Sequence, residues 1–144
     1  MNTITDTAPV DGLNQSLGLV RRIEMSDEGR AKLEYLARPE MCHSGGVVQG
    51  GFITGWLDAA MAHAVIAMTG FEMTPMSLEL KVSFFAPARP GPVFAEGWVE
   101  QKGKSTCFTE GRLTDASGRV LAKCNSTIRL IPRAKVEAGS KAAV

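Results

Sequence analysis

The stretch HSGGVVQGGFITGWLDAAMAHA, residues 43–64, decides how this chain folds. It sets four glycines within nine positions, His43–Gly51, and then runs into an almost wholly apolar helix that holds one acid, Asp58. The longest apolar run, Phe52–Met68, is interrupted by Thr54, Gly55, Asp58 and His63, which an isolated membrane span would carry only at substantial cost. It therefore reads as the buried helix of a soluble protein. A helix apolar on nearly all sides must be covered nearly all round.

Strands on both sides of it supply the cover. LGLVRRIEM (17–25) and RAKLEYLAR (30–38) read as two strands around the turn SDEG, because Ala31, Leu33, Tyr35 and Ala37 alternate with Lys32, Glu34 and Leu36. After the helix come SLELKVSFFAP (77–87), VFAEGWVEQ (93–101), STCFTEGRLTD (105–115) and RVLAKCNSTIRLI (119–131). In the first of these, Leu78, Leu80, Val82 and Phe84 alternate with Glu79, Lys81 and Ser83, which predicts one buried face and one wet face. KGK at 102–104 and ASG at 116–118 are short hairpin connections, whereas Pro87, Pro90 and Pro92 stop pairing between the first two strands. The order predicts an α+β domain in which one curved antiparallel sheet of about six strands wraps a long central helix. What the sheet's own curvature leaves open must be covered by a neighbour, and open sheet edges invite pairing with a second copy.

A chain of 144 residues is long enough for one domain and too short for two. Residues 1–16 are expected to form a loose arm, 17–132 the folded domain and 133–144 a loose tail. The 16 basic and 15 acidic residues nearly cancel and no basic tract appears, which argues against nucleic acid and anionic membrane as partners while leaving a small anionic ligand open. Cys42, Cys107 and Cys124 lack metal-ligand spacing, and the opening MNTITDTAPVDG has neither a basic nor an apolar leader segment. The expectation is a cytoplasmic protein with reduced thiols, without a metal or cofactor.

The first turn of a helix carries N–H groups without intrahelical partners and the positive end of the summed peptide dipoles, so it attracts anions and developing negative charge. Gly50 and Gly51 there remove side chains that would block a ligand from the backbone, although paired glycines also serve tight turning and close helix-on-sheet contact. Asp58, on an apolar helix, needs either a partner or a chemical role. Its plain structural part is to be satisfied by a hydroxyl such as that of Thr54, one turn back, or by a backbone N–H. Eight residues separate Gly50 from Asp58, roughly 12 Å at about 1.5 Å per residue. One helix cannot bring both groups to one carbonyl carbon, because an oxyanion donor and a base or nucleophile must each sit about 3 Å from the reacting atoms. If they cooperate, they come from two copies of the helix running antiparallel across a two-fold axis.

GVVQGG followed by the acid in GWLDAAM, then SLELKVSFFAPARPG, QKGKS and DASGRVLAKCNSTIRL, resemble the hotdog-fold acyl-CoA thioesterases, in particular the phenylacetate-pathway type and its 4-hydroxybenzoyl-CoA thioesterase relatives. The likeness runs over about residues 17–131. It implies a long helix wrapped by an antiparallel sheet, homodimers joined into one continuous sheet, and a dimer of dimers. By resemblance the Gly50 N–H binds the thioester oxygen, and Asp58 of the opposing subunit attacks the carbonyl or deprotonates a water that does. The family signature is usually H-G-G; here Gln49 replaces the histidine, and a carboxamide can donate a hydrogen bond but cannot exchange a proton near neutral pH, so Gln49 should orient or polarise.

Ser77 falls where some members place a hydroxyl that helps hold the attacking water, or it is a strand-start residue bonding locally to backbone. By resemblance His43 and Gly51 lie in the substrate region, although a lone histidine beside glycines also suits a plain loop position. Arg89, Lys102, Gly103, Lys104 and Ser105 belong to stretches that in the family grip the nucleotide and pantetheine of CoA, where positive charge and backbone donors suit phosphates. Phe52, Trp56, Met61 and Phe85 are candidates for an acyl pocket, with core membership as the competing role. His63 is expected to be a satisfied core or interface histidine without metal-site neighbours. The leading expectation is hydrolysis of a small acyl- or aryl-CoA. Against it stand a non-catalytic acyl-CoA-binding module and an enoyl-thioester hydratase or dehydratase using Asp58 with His63, a pair that about 500° of helical rotation points apart.

Overall fold

A computed structural model describes residues 11–142, with side chains as far as 139. The elements are α1 (Gly12–Leu17), β1 (Leu19–Ser26), β2 (Arg30–Ala37), a 3-10 turn at Pro39–Met41, β3 (Cys42–His43), β4 (Val47–Val48), α2 (Gly50–Thr69), β5 (Met73–Phe84), β6 (Gly91–Lys102), β7 (Thr106–Asp115), β8 (Val120–Pro132) and α3 (Arg133–Ala142). Six strands form one sheet in the order β1-β2-β6-β7-β8-β5, every neighbouring pair antiparallel. The expected α+β architecture, a curved antiparallel sheet around one long helix, is the architecture observed.

α2 lies across the middle of the sheet, burying Ile53, Trp56, Leu57, Ala60, Met61, Ala64 and Val65. One position makes the approach close enough. A Cβ on Gly97 would come within 2.5 Å of the Ala60 backbone. Only glycine lets backbone meet backbone there. Trp56 is fully buried, stacks on Tyr35 at 5.8 Å between ring centroids, and donates its indole N–H to the Leu17 carbonyl at 2.7 Å. By length and composition α2 is also the one described helix able to cross a membrane. Its core-facing residues are instead spent on the sheet.

The cover is not complete. Asp58, Ala62 and Ile66 lie on one side of α2 and remain half-buried in the single chain. β5, the strand next to them, is a sheet edge. It begins at Met73, four residues before the expected start, and tolerates Pro75 because an edge strand can leave one side of its ladder unpaired. It also departs from simple alternation. Ser77 pairs with Ile128 and Glu79 with Thr127, so Leu78 is an extra residue in a bulge. Ile128 is buried, so the inward place opposite it goes to Ser77, and Leu78 is left 60% exposed. Phe84, expected on the buried face, is 54% exposed, its ring lying beside Gly50 at the start of α2 on the wall of an open cleft. The buried face read from Leu78 to Phe84 thus holds for Leu80 and Val82, which pack against the core, and fails at its two ends.

Several short elements differ from the sequence reading. Within the expected loose arm, Gly12–Leu17 is a helix capped by Asp11, whose side chain accepts from the Asn14 N–H at 2.8 Å; residues 1–10 lie outside the described residues. The expected loose tail is helical over Arg133–Ala142, where Ala, Lys and Glu favour helix and Arg133 pairs with Glu137 at 2.9 Å one turn on. Gly45 and Gly46 adopt φ of +101° and +71° and close the tiny β3–β4 ribbon. Their role is a turn.

Candidate active site

α2 starts at Gly50, with Gln49 as its cap: the Gln49 Oε1 accepts from the Gly51 N–H at 2.7 Å. A Cβ on Gly51 would lie 2.6 Å from that oxygen, so any side chain there would displace the cap. A Cβ on Gly50 would lie 3.2 Å from the Phe84 ring. The Gly50 N–H meets no acceptor among the described residues, leaving it as the free donor at the positive end of the helix. Gln49 spends its oxygen on the cap, and only its amide nitrogen can still donate.

Asp58 projects from the middle of α2 toward β5, where its Oδ1 accepts from the Ser77 hydroxyl at 2.6 Å. Thr54 is not its partner: that hydroxyl donates to the Gly50 carbonyl at 2.9 Å. Ser77 bonds to the carboxylate and not to local backbone, because the bulge at Leu78 gives it the inward position. Asp58 also acts on Cys124, whose thiol is pushed up to about 12 by burial first and the Asp58 charge second. Cys124 is therefore an inert thiol. Gly50 and Asp58 sit eight residues apart on one continuous helix, so the roughly 12 Å separation expected from helical rise holds within the chain.

The other predicted residues divide into two groups. Val48 donates its N–H to the Ala88 carbonyl at 2.8 Å, which ties the loop carrying Arg89 to the start of α2. His43, exposed on β3 with its Nδ1 2.7 Å from the Ser44 carbonyl oxygen, belongs to this end of the molecule. Lys102–Ser105 belong elsewhere. They form the β6–β7 turn, closed by Gly103 N–H donating to the Thr106 carbonyl at 2.7 Å, and the row Lys102, Cys107, Ile128, Ser77 places them at the Asp58 end. β6 runs from Gly91, next to Arg89, to Lys102, which at about 3.3 Å per residue is roughly 36 Å. One chain cannot close Arg89 and the 102–105 turn on the same end of a ligand.

Beside Gly50 opens a cleft of about 400 Å³ walled by Val47, Ile53, Phe84, Phe85 and Pro87. Of the acyl-pocket candidates, Phe85 lines it; Trp56 and Met61 are sealed in the core, and Phe52 is half-buried against it. A second cleft of about 360 Å³ lies between the 85–92 loop and the β7–β8 turn and holds Arg89 and Arg119. Phe84 was expected on a buried strand face and Arg119 lies in a stretch that carries the resemblance, but neither was named as a site residue; folding brings each to a cleft. His63 points the other way from Asp58. Its Nε2 accepts from the Arg22 Nε at 3.4 Å on β1, and its Nδ1 lies 2.7 Å from the Ala59 carbonyl oxygen. β1 and β5 are opposite edges of the sheet, so Asp58 and His63 form no pair within the chain. Burial lowers the His63 pKa below 6.5 and keeps the ring neutral. Among the described residues no three His, Cys, Asp or Glu side chains converge on a metal-sized site.

Comparison with known proteins agrees with this anatomy. The model of the family described as Thioesterase superfamily matches residues 45–122, from the β3–β4 turn into β8. A Saccharolobus solfataricus protein named as an esterase is 32% identical over 112 residues, covering 78% of this chain and 79% of its own. The crystal structure of a phenylacetic acid degradation-related protein from Ralstonia eutropha JMP134 superimposes with a TM-score of 0.78 at 28% identity, over 85% of this chain and 92% of that one. The PaaI protein of E. coli, from the phenylacetic acid degradation operon, shares the fold at TM-score 0.77 and 20% identity, over 84% and 85% of the two chains. With the helix, the wrapped sheet and the matched family segment all in register, the chain belongs to the hotdog-fold thioesterase superfamily.

Proposed function

We propose that the protein hydrolyses the thioester of a small acyl- or aryl-CoA to free acid and CoA, at a site shared by two protomers. Family membership carries thioester hydrolase chemistry in general. The observation behind the finer reading is the placement of Gly50 and Asp58 on one helix: the free donor and the carboxylate are too far apart to serve one carbonyl unless a second copy supplies one of them. A two-fold pair of antiparallel α2 helices puts each Gly50 against the partner's Asp58. The same pairing sets Arg89 of one chain beside the 102–105 turn of the other, which removes the separation of about 36 Å.

The surface favours such a pair. β5 is an open edge carrying exposed Met76, Leu78 and Phe84, and the half-buried stripe of α2 lies next to it. The active unit is a homodimer, assembled further as a dimer of dimers, with neither nucleic acid nor membrane as a partner and a cytoplasmic location. Fold neighbours support CoA as the leaving group: a Streptococcus mutans protein of the same fold, 14% identical at TM-score 0.71, is bound to acetyl CoA.

In this site the Gly50 N–H, backed by the helix dipole, binds the thioester oxygen, and the Gln49 amide nitrogen adds a second donor. Asp58 of the partner subunit, held through one oxygen by its own Ser77, attacks the carbonyl carbon or removes a proton from the attacking water. The tetrahedral intermediate collapses, the C–S bond breaks and CoA leaves as thiolate; where water is the nucleophile this gives the free acid directly, and where Asp58 is, water then cleaves the mixed anhydride to release the acid and restore the carboxylate. The Asp58–His63 route to hydration is disfavoured by the opposed directions of the two side chains.

The test is release of free thiol from short, medium and aryl acyl-CoAs by wild type and Asp58→Asn, with the assembly state measured beside it. The expected outcome is a loss of activity by orders of magnitude with the dimer intact. Equal rates would remove Asp58 from the reaction. Tight CoA binding without any turnover by wild type would mean a binding module instead of an enzyme.

A further inference from the structure

Gly50, Thr54, Asp58, Ala62 and Ile66 recur at four-residue steps on α2 and all remain half-buried, so one row of the helix is left without full cover in the single chain. Thr54 lies midway between Gly50 and Asp58. When two antiparallel copies of α2 set each Gly50 against the partner's Asp58, position 54 is therefore the one that meets its own copy on the two-fold axis. Thr54 suits that place. Its hydroxyl donates to the Gly50 carbonyl at 2.9 Å, so covering it buries no unpaired polar group.

The same axis must cross β5, the open sheet edge beside that row. Asp58 meets Ser77 at 2.6 Å, and a Cβ on Gly50 would lie 3.2 Å from the Phe84 ring, so residues 58 and 50 of α2 stand level with 77 and 84 of β5. The level of Thr54 falls halfway, at Leu80 and Lys81. Two edge strands paired antiparallel about a two-fold have one residue opposite its own copy, and these two candidates differ in charge. With Lys81 on the axis, two lysines face each other. With Leu80 on it, each Lys81 lies opposite Glu79 of the partner subunit, and the two Leu80 side chains meet beside the core against which they already pack. Opposite charges directly across a strand pair stabilise it, and like charges destabilise it. Both Lys81 and Glu79 are exposed, and among the described residues neither has an ion pair within the chain. Glu79 Oε1 accepts from the Thr127 N–H at 2.7 Å, which steadies the carboxylate on the edge.

We propose that Lys81 and Glu79 set the register of the shared site: across a β5–β5 edge contact with Leu80 on the two-fold axis, each Lys81 pairs with Glu79 of the partner subunit, and that register brings Gly50 to the partner's Asp58. The assignment rests on the shared-site reading above and supplies what fixes its alignment. Moving the axis from Leu80 to Lys81 slides one strand two residues past the other, about 7 Å, more than twice the roughly 3 Å at which a donor or base must stand from the reacting atoms. Lys81 and Glu79 are thus positioning residues, which act on the reaction through strand register alone.

Cysteine pairing reads the register directly, because opposed residues of an antiparallel pair stand about 4.5–5.5 Å apart at Cα, within disulfide reach. Under mild oxidation of the full chain, Leu80→Cys should form an interchain disulfide that wild type and Lys81→Cys do not. Cross-linking of Lys81→Cys instead, or of neither variant, overturns the assignment. Dimer dissociation constants from sedimentation, with thiol release beside them, test the ion pair. Lys81→Glu is expected to weaken the dimer about 10-fold or more, with activity per protomer recovering as protein concentration rises, whereas Lys81→Arg should match wild type. Lys81→Met and Glu79→Gln should each weaken the dimer about 3-fold or more, and the double variant no further, since glutamine keeps the acceptor for Thr127 and both changes remove one interaction. An unchanged dimer in Lys81→Glu, or losses that multiply in the double variant, overturns the assignment as well. A disulfide at Lys81→Cys beside active wild type would sink the register and leave the hydrolytic reading standing. A disulfide at Leu80→Cys beside a wild type that releases no thiol from any acyl-CoA would keep the register and sink the hydrolytic reading alone.

Discussion

Replacing Ser77 by alanine isolates what the bulge in β5 does for the carboxylate of Asp58. The Ser77 hydroxyl donates to Asp58 Oδ1 at 2.6 Å, a short bond to a charged acceptor on a half-buried helix face. Bonds of this class contribute about 1.5–3 kcal/mol, and each 1.4 kcal/mol is about a factor of ten in rate if the whole amount is felt in the transition state. Ser77→Ala should therefore lower kcat by about one to two powers of ten. KM should move little, since Ser77 reaches the substrate only through Asp58. Threonine keeps the hydroxyl and should retain most of the activity. The double variant Ser77→Ala, Asp58→Asn should be no slower than Asp58→Asn, because two residues acting through one group are not additive. Thiol release under saturating acyl-CoA gives kcat, and denaturant melts show that the fold survives. Full activity in Ser77→Ala, or losses that multiply in the double variant, would refute the idea that the serine works by holding this acid.

Three further outcomes follow from the same structure. Gly97→Ala would force a Cβ to within 2.5 Å of the Ala60 backbone, so α2 must lift from the sheet; chemical denaturation should show a loss of about 3 kcal/mol or more, and a stable variant would contradict the close approach. The Tyr35 hydroxyl is buried with no hydrogen-bond partner among the described residues, so Tyr35→Phe should leave stability unchanged or raise it by about 1 kcal/mol in the same assay, and a clear loss would reveal a partner. Burial lowers the His63 pKa below 6.5, so the folded state resists protonating it while the unfolded chain accepts the proton. Stability should thus fall as pH drops below 6.5, with no contribution from this group above it, and His63→Gln should flatten that slope in melts at a series of pH values.

Most of the architecture was legible because it is written in local periods. Alternation in Ala31–Ala37 specifies a strand and the face it buries, and the long apolar run from Phe52 specifies a helix that must be covered nearly all round. Helix-forming Ala, Lys and Glu at Arg133–Ala142 were also present in the sequence, interrupted by Gly139. Leu78 was not legible. Period-two reasoning puts it inward with Leu80, and only the pairing with β8 shows that one residue of β5 has no opposite number. Arg119 was equally hidden, since the turn that carries it meets the 85–92 loop across a cleft and not along the chain.

The spacing of Gly50 and Asp58 was set by the sequence alone, because rise per residue on a helix is a constant of the backbone; so was the conclusion that one chain cannot close both on a single carbonyl. Tertiary structure decided the rest: that Ser77 and not Thr54 partners Asp58, that His63 turns to the opposite edge, and that Arg89 lies far from the 102–105 turn but beside Arg119. Those contacts join residues distant in sequence. Strand register, the bulge and the curl of the sheet select them, and none of the three leaves a period in the sequence to read.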